Sequence, residues 1–302
     1  MRGALISAVG AVPAVGDVDE PGGDAVEMAA VALNPLDLNI ANGRFYGGHP
    51  DVPYVPGCEG VGRRDGALVY VFGGGLGLSR DGTLAQRVAV PAGASFELPD
   101  GVDAGIAAAC GIAGVAGWTP VTRVADVREG DRVLVLGATG TVGLIALQAA
   151  KARGASRVVA AGRNRARLER ARELGADEVV ELAGDDLAAR FTEACGNDGP
   201  TVVIDPLWGG PAAAPGARLV NIGQSAGPEA AFTSANVRGK ELRILGHSNF
   251  RMSADERRET HLELLAEVQA GRVVVDVERF PLERVADAWA AQAAGAKAIV
   301  EL

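Results

Sequence analysis

The chain has 302 residues, 48% hydrophobic and 22% charged, a balance typical of folded proteins and a length sufficient for two domains. Its formal net charge of −9 argues against a nucleic-acid partner. The three scattered cysteines, Cys58, Cys110 and Cys195, provide neither a disulfide framework nor a C-x-x-C zinc pair, so we expect a reducing, cytoplasmic compartment.

The first hundred residues show short β patterns separated by turns. Alternating and β-branched residues predict strands over residues 25–31, 67–72 and 84–90, with glycine, proline and aspartate between them. Residues 104–122 carry no charge and reach the length of a membrane span, but they are rich in alanine and glycine and contain Pro120. We interpret them as a buried helix pair and expect no membrane partner.

Near Gly111 the pattern changes to strands that alternate with helices. The continuous apolar run 132–136 predicts a strand buried on both faces. Further strands are predicted over 157–161, 178–181, 201–205, 217–223 and 241–245, and helices over 142–153, 166–174 and 185–195. This alternation predicts an α/β fold with a doubly wound parallel sheet.

After His247 the pattern changes again. A helix is predicted over 254–270, a strand over 273–277, a helix over 282–294 and a strand over 296–302. This tail is too small for a domain, so we expect it to complete the first one. The expected division is residues 1–112 and 248–302 around an inserted domain of residues 113–247. His261 lies among charged residues of the first tail helix, and we expect it to be exposed.

A glycine-rich turn follows the strand predicted over 132–136. Thr139, Gly140, Thr141, Val142 and Gly143 lie between that strand and a helix, where a dinucleotide-binding fingerprint is found. Gly140 would let the backbone approach a pyrophosphate, and Gly143 would let the helix pack closely on the strand. The N–H groups at the start of the helix favour bound phosphate.

The end of the next strand predicts which dinucleotide binds. An NAD site usually places Asp or Glu there to hold the ribose 2′-hydroxyl, whereas here the residues are Gly162, Arg163 and Asn164. Gly162 leaves space, and Arg163 can form charge-assisted hydrogen bonds to a 2′-phosphate. The prediction is NADPH rather than NADH, with solvated arginines at a helix start as the alternative.

Two later strand ends supply candidates for contact with the nicotinamide. Asn221, Ile222 and Gly223 follow one strand, and Asn249 and Phe250 follow the last strand of the sheet. Ligands of doubly wound sheets lie outside the carboxyl ends of the strands. We therefore predict that these residues bind the cofactor, with ordinary turns as the alternative.

Several segments resemble one known family. Residues 32–37, 56–62, 82–88, 130–143 and 174–180 are similar to the medium-chain dehydrogenase/reductases, in particular the zinc-free quinone oxidoreductase and enoyl reductase branch. The resemblance implies a GroES-like, mostly β domain with a Rossmann domain inserted in it. It also implies a homodimer that pairs sheet edges, which would make residues 241–245 an interface strand.

The resemblance also implies catalytic residues and weighs against zinc. Asn34 stands where zinc-dependent relatives have a cysteine ligand, and Cys58 stands where they have a histidine. Asn34 is expected near the nicotinamide, where it could donate to a developing oxyanion. Tyr46 is the second predicted catalytic residue, as proton donor or positioning group, although it also fits a loop tyrosine. A metal site at Cys58 and Glu59 is the alternative to a metal-free site.

These expectations define one hypothesis and two rivals. The hypothesis is a zinc-free reductase that transfers a hydride from NADPH to a small-molecule quinone or α,β-unsaturated carbonyl. A zinc-dependent alcohol dehydrogenase is the rival within enzymes. An NADPH-binding protein without catalysis, with a regulatory or structural role, is the rival of another class.

Overall fold

Two units make up the part of the chain that the computed structural model describes, which is residues 1–196, 198–208 and 214–302. The β-rich unit comprises Met1–Ala113, Ala254–Leu265 and Val275–Leu302. The parallel-sheet unit comprises the described residues of Gly114–Ser253 together with Ala266–Val274. The chain thus leaves the β-rich unit near residue 113 and returns to it in its last fifty residues.

The elements are numbered along the chain. The strands are β1 (Arg2–Leu5), β2 (Ala14–Asp17), β3 (Val26–Ala32), β4 (Glu59–Arg64), β5 (Ala67–Phe72), β6 (Arg87–Val88), β7 (Ser95–Glu97), β8 (Arg132–Leu136), β9 (Arg157–Gly162), β10 (Glu178–Glu181), β11 (Val202–Asp205), β12 (Arg218–Asn221), β13 (Arg243–Gly246), β14 (Glu278–Pro281) and β15 (Ala298–Glu301). The α-helices are α1 (Pro35–Ala41), α2 (Ala104–Ala109), α3 (Val115–Thr119), α4 (Thr141–Ala152), α5 (Arg165–Glu173), α6 (Leu187–Ala194), α7 (Ser234–Gly239), α8 (Ala254–Gln269) and α9 (Val285–Ala293).

The parallel-sheet unit has the strand order of a Rossmann fold. Among the described residues its strands lie in the order β10-β9-β8-β11-β12-β13, and each neighbouring pair is parallel. Counted from β8, this is the order 3-2-1-4-5-6 of the doubly wound dinucleotide-binding sheet. The central strand β8 is almost wholly buried, as its continuous apolar run predicts. The α/β prediction is confirmed.

The β-rich unit contains a mixed sheet in the order β14-β15-β3-β4-β5-β7, to which β6 adds by pairing with β3. The strands β14 and β15 are parallel, and the other neighbouring pairs are antiparallel. The C-terminal strand β15 therefore lies beside β3 from the N-terminal region. As the sequence pattern indicates, the tail completes the core of this unit, where Val31, Leu33 and Val300 are fully buried.

Residues Ala104–Val124 form one run of helical turns, long and apolar enough by length and composition to cross a membrane. In this structure 78% of the most apolar window is buried, as in a core helix of a folded protein. The run is not regular, because it leaves helical geometry at Gly111, where φ is −69° and ψ is −112°. A Cβ at Gly111 would collide with the Glu59 carboxylate and the Tyr70 hydroxyl. Only glycine therefore permits this approach.

Two predicted strands differ most from the structure. The prediction of a strand over residues 273–277 is wrong, because both backbone groups of Val274 bond to the side-chain amide of Gln148, at 2.7 and 3.0 Å. Sheet pairing starts only at Glu278, opposite Ala298. The strand predicted over 84–90 shortens to Arg87–Val88, because the residues before it bond to separate partners instead of one neighbouring strand.

Candidate functional site

The turn between β8 and α4 places free backbone donors at the carboxyl edge of the parallel sheet. Gly137 adopts a positive φ of 63°, and the N–H of Ala138 donates to the Ala161 carbonyl of β9 at 2.9 Å. Gly140 then precedes the first residue of α4 in an extended conformation. The N–H groups of Thr141, Val142 and Gly143, at the start of α4, have no acceptor within the helix, as at every helix start. They are suited to bind phosphate oxygens.

Glycine suits positions 140 and 143 of this turn for different reasons. A Cβ at Gly143 would lie 2.5 Å from the Gly137 carbonyl oxygen, so only glycine allows α4 to pack on the turn. A Cβ at Gly140 would have no protein atom closer than 3.8 Å, and the φ of Gly140, −105°, is one that other residues adopt. Internal packing therefore does not demand glycine at position 140, and the open space suits a bound pyrophosphate.

The end of β9 contacts the same turn. Gly162 is buried, and a Cβ there would collide with the Thr139 side chain, so this glycine makes room for Thr139. Arg163 is exposed and forms no hydrogen bond or ion pair with any described residue. Asn164 caps α5 by accepting from the Arg167 N–H at 3.1 Å. Arg163 is therefore a cation available to a ligand at this edge.

Arg167 is a residue that the sequence analysis missed. Its guanidinium donates to the Thr139 carbonyl oxygen at 3.3 Å, which joins the start of α5 to the glycine-rich turn. The sequence carries one signal for it, the repeated arginines at positions 163, 165 and 167, but their spacing does not reveal which of them faces the turn.

The loops after β11 and β12 meet at the same edge. The Ile222 N–H donates to the Asp205 carbonyl at 2.9 Å, and the Asn221 side chain donates to the Gly223 carbonyl at 2.7 Å. A Cβ at Gly223 would lie 2.8 Å from the Pro206 carbonyl oxygen. The side chain of Asn221 thus stabilises its own loop, which leaves the Gly223 N–H and the Ile222 carbonyl oxygen as the candidate ligand contacts.

The last two predicted cofactor contacts follow β13. The His247 N–H donates to the Asn221 carbonyl at 3.0 Å, and the His247 ring lies 3.1 Å from the Asn249 side-chain oxygen. Phe250 is 42% exposed, so it is not a core residue. The structure therefore brings the predicted cofactor-binding residues of the parallel-sheet unit to one edge of its sheet.

A buried polar cluster lies in the β-rich unit, formed by Asn34, Glu59, Tyr70, Ile112 and Lys297. The Glu59 carboxylate accepts from the Asn34 amide at 2.7 Å, from the Tyr70 hydroxyl at 2.7 Å and from the Ile112 N–H at 2.5 Å. The Lys297 ammonium donates to Asn34 Oδ1 at 2.8 Å and lies 3.5 Å from Glu59. Glu59 and Lys297 thus form an ion pair that is almost entirely shielded from water.

Asn34, predicted to be catalytic, belongs to this cluster and is 1% exposed. Its amide nitrogen donates to the Ala32 carbonyl at 3.1 Å and to Glu59, and its oxygen accepts from Lys297. An oxyanion donor needs an N–H group that is free to reach the substrate. In this structure the Asn34 side chain instead connects Glu59 to Lys297.

Asp37 and Cys58 form a second buried contact in the same unit. The Asp37 carboxylate accepts from the backbone N–H groups of Asn34, at 2.8 Å, and of Cys58, at 2.9 Å. Burial raises the pKa of Asp37 to about 6 and holds the pKa of the Cys58 thiol well above its ordinary value. The described residues contain no group of three or more His, Cys, Asp or Glu side chains that could hold a metal ion.

Tyr46 and His261 lie in very different surroundings. Tyr46, predicted to be catalytic, is 87% exposed, with its ring 4.5 Å from that of Phe45. The prediction that His261 is exposed is wrong, since it is fully buried against the rings of Tyr70 and Phe96. Most of the charged residues around it in α8 are exposed.

Comparison with known proteins gives matches along the whole chain. The family model described as zinc-binding dehydrogenase matches residues 141–269. A phenolphthiocerol/phthiocerol polyketide synthase subunit from Mycobacterium tuberculosis is 30% identical over an alignment of 301 residues. The match covers 91% of this chain but only 13% of that much longer protein. The human quinone oxidoreductase is 26% identical over 276 residues, covering 87% of this chain and 83% of the relative.

Solved structures resemble the chain over its full length. An NAD-dependent alcohol dehydrogenase has a TM-score of 0.85 at 26% identity, with all of both chains covered. The quinone oxidoreductase of Thermus thermophilus, solved alone and in complex with NADPH, has a TM-score of 0.79 at 27% identity, again with full coverage of both chains. These likenesses agree with the strand order and with the dinucleotide fingerprint.

Proposed function

We propose that this chain reduces a small-molecule quinone or α,β-unsaturated carbonyl with NADPH. The chain belongs to the medium-chain dehydrogenase/reductase superfamily and to its quinone oxidoreductase branch. The observation that carries this proposal is the carboxyl edge of the parallel sheet. There an open glycine, a helix start and an unpaired arginine lie where a phosphorylated dinucleotide would bind.

The chain's own residues bind and orient the cofactor. The amides of Thr141, Val142 and Gly143 would donate to the pyrophosphate, and Gly140 would leave space for it. Backbone groups of residues 221–223, with Asn249 and Phe250, would hold the nicotinamide end. NADPH, when bound, supplies the hydride, and the acceptor gains a proton from solvent or from an exposed group such as the Tyr46 hydroxyl.

We expect Arg163→Ala to raise the Kd for NADPH about ten- to a hundredfold, because a charge-assisted hydrogen bond contributes about 1.5–3 kcal/mol. The Kd for NADH should change little, since its ribose has no 2′-phosphate. Parallel fluorescence titrations with the two cofactors measure both values. Equal changes for the two cofactors would reject the assignment of Arg163 to the 2′-phosphate.

We expect Gly140→Val to raise the Kd for both cofactors by roughly tenfold or more, equivalent to at least about 1.4 kcal/mol. The thermal midpoint should stay near the wild-type value, because no described atom lies within 3.8 Å of the added Cβ. Gly239→Val is a matched control, since a Cβ at Gly239 also meets no atom within 4 Å. Gly239 ends α7, at the amino end of β13, away from the proposed site. Unchanged cofactor binding in Gly140→Val would contradict the pyrophosphate assignment.

We propose that the reaction needs no zinc, because the residues present do not form a zinc site. Asn34 supplies no thiolate, and the Cys58 thiol is buried beside the Asp37 carboxylate. A zinc-dependent alcohol dehydrogenase is the second candidate, favoured by the family model that matches residues 141–269. Metal analysis of protein purified without a chelator separates the two, since stoichiometric zinc would favour the dehydrogenase.

Turnover tests the enzymatic part of the proposal. Wild-type protein with NADPH should reduce at least one member of a panel of quinones, enones and enoyl thioesters. Tight NADPH binding without turnover on the whole panel would instead indicate a non-catalytic NADPH-binding protein.

We also propose a homodimer and a cytoplasmic location. Among the described residues β13 pairs only with β12, so its other edge is open, and Ile244 on it is 40% exposed. An open strand edge is a template for pairing with a second copy. Light scattering of the purified protein tests this assembly.

A further inference from the structure

A cavity of about 580 Å³ opens at the carboxyl end of β10 in the parallel-sheet unit. The first turns of α5, the strand β10 and a residue of α6 line it, with two arginines, Arg165 and Arg190, and two glutamates, Glu169 and Glu181. Glu181 pairs in register with Gly162, the last residue of β9. The cavity therefore adjoins the strand end from which Arg163 projects.

At this cavity Arg165 forms an ion pair with Glu181, so its guanidinium is engaged by a carboxylate. Arg165 Nε lies 2.9 Å from Glu181 Oε2, and the side chains are 86% and 34% exposed. The Arg165 guanidinium forms no other hydrogen bond with a described residue. Arg190 donates to the Ala183 carbonyl at 2.7 Å, which fixes it at the far side of the cavity. Glu181 is thus the acid that neutralises the arginine nearest to Arg163 in sequence.

We infer that Glu181 is a specificity-determining residue that weakens the preference for a 2′-phosphorylated dinucleotide by holding Arg165 in an ion pair. The inference rests on the proposed NADPH site at the end of β9. A phosphate monoester carries roughly −1.5 to −2 charges at pH 7, so it competes with a single carboxylate for an arginine. Because Arg165 and Glu181 are partly exposed, water and salt screen this competition, and its effect is a few-fold.

The test compares Glu181→Gln with the wild-type protein in titrations with NADPH and NADH. Glu181→Gln should lower the Kd for NADPH by roughly two- to fivefold, as expected for an exposed ion pair, and leave the Kd for NADH within about twofold. In an Arg165→Gln background, Glu181→Gln should leave the Kd for NADPH unchanged, because Glu181 acts through Arg165. Glu173→Gln is the matched control, because Glu173 also pairs with an arginine of α5, Arg170, at 2.8 Å.

The outcomes separate this inference from the proposed function. If wild-type protein binds NADPH but Glu181→Gln shifts both cofactors equally or neither, the inference fails and the NADPH site stands. A gain for NADPH that persists in the Arg165→Gln background also overturns it. If the wild-type protein binds neither cofactor, the proposed function itself fails. Thermal midpoints of all variants should agree with the wild type, because both glutamates are partly exposed.

Discussion

Lys297→Met should lower the free energy of unfolding by about 3–5 kcal/mol, because it leaves the buried Glu59 carboxylate without its cation. Both side chains of this pair are at most 2% exposed, so water cannot replace the lost ammonium. The Leu33 carbonyl oxygen, 2.9 Å from the ammonium, also loses its donor. Methionine keeps a similar length, so the cost comes mainly from charge and hydrogen bonds.

Thermal and denaturant unfolding of the variant measure this loss. Lys151→Met is a matched control, because Lys151 pairs with Asp177 at 3.0 Å with both side chains more than one-third exposed, and such pairs contribute about 0.2–1 kcal/mol. The double variant Glu59→Gln with Lys297→Met should lose less than the sum of the single changes, since it leaves no unpaired charge. Additive losses would show that the two groups do not stabilise each other.

The parallel-sheet unit could be predicted from sequence because its signals are local. The run at β8 is apolar at successive positions since the strand is buried on both faces, and the glycine-rich turn must follow it directly. The strand over Glu178–Glu181 has the predicted bounds. The alternation of short strands with helices indicated that the sheet is parallel and doubly wound.

The polar cluster of the β-rich unit could not be predicted, because its members are distant in sequence. Lys297 lies 263 residues from Asn34 and 238 from Glu59, and no local pattern marks a lysine that will be buried by such contacts. The motif around Asn34 and Asp37 was visible, but its hydrogen bonds were not. A residue predicted to face a substrate thus carries a side chain engaged with a buried ion pair.

His261 shows how charge in sequence can mislead about exposure. Acids and arginines flank it in α8, yet a helix turns about 100° per residue, so the His261 side chain lies on a buried face while most of those charged residues are exposed. Thr260, Leu264 and Leu265 are buried together with it. The sequence predicted the helix itself, but the charged residues near His261 led to its placement on the exposed face.

The burial of His261 gives the second large prediction, a loss of stability in acid. Burial lowers the pKa of its imidazole from 6.5 to about 3, and a contact with the Ala107 backbone, which raises the pKa, is too weak to offset the burial. Between pH 6.5 and 3 the His261 imidazole is therefore protonated in the unfolded chain and neutral in the folded chain. Stability is fully present above pH 6.5 and falls as the pH drops through this range, by on the order of 4 kcal/mol.

Replacing the imidazole by a similar-sized apolar group should remove this pH dependence. His261→Leu should be as stable as the wild type at pH 7.5 and more stable at pH 4.5, measured by urea unfolding at both values. Asp37 acts in the opposite direction, because its pKa is raised from 3.8 to about 6 and its stabilising effect is lost as pH rises through that range. Asp37 is present in both the wild type and His261→Leu, so its effect cancels when the stabilities of the two proteins are compared.

A control histidine isolates the cause. His49 is exposed in a loop, with its ring near the Pro50 carbonyl, so His49→Leu should leave the difference between pH 7.5 and 4.5 unchanged. If His261→Leu lost stability with falling pH as steeply as the wild type, another group would have to carry the acid sensitivity. The remaining candidates would then be carboxylates whose pKa is lowered by folding, such as Asp103, held by Arg279, and Asp131, held by the Arg128 N–H and by Arg218.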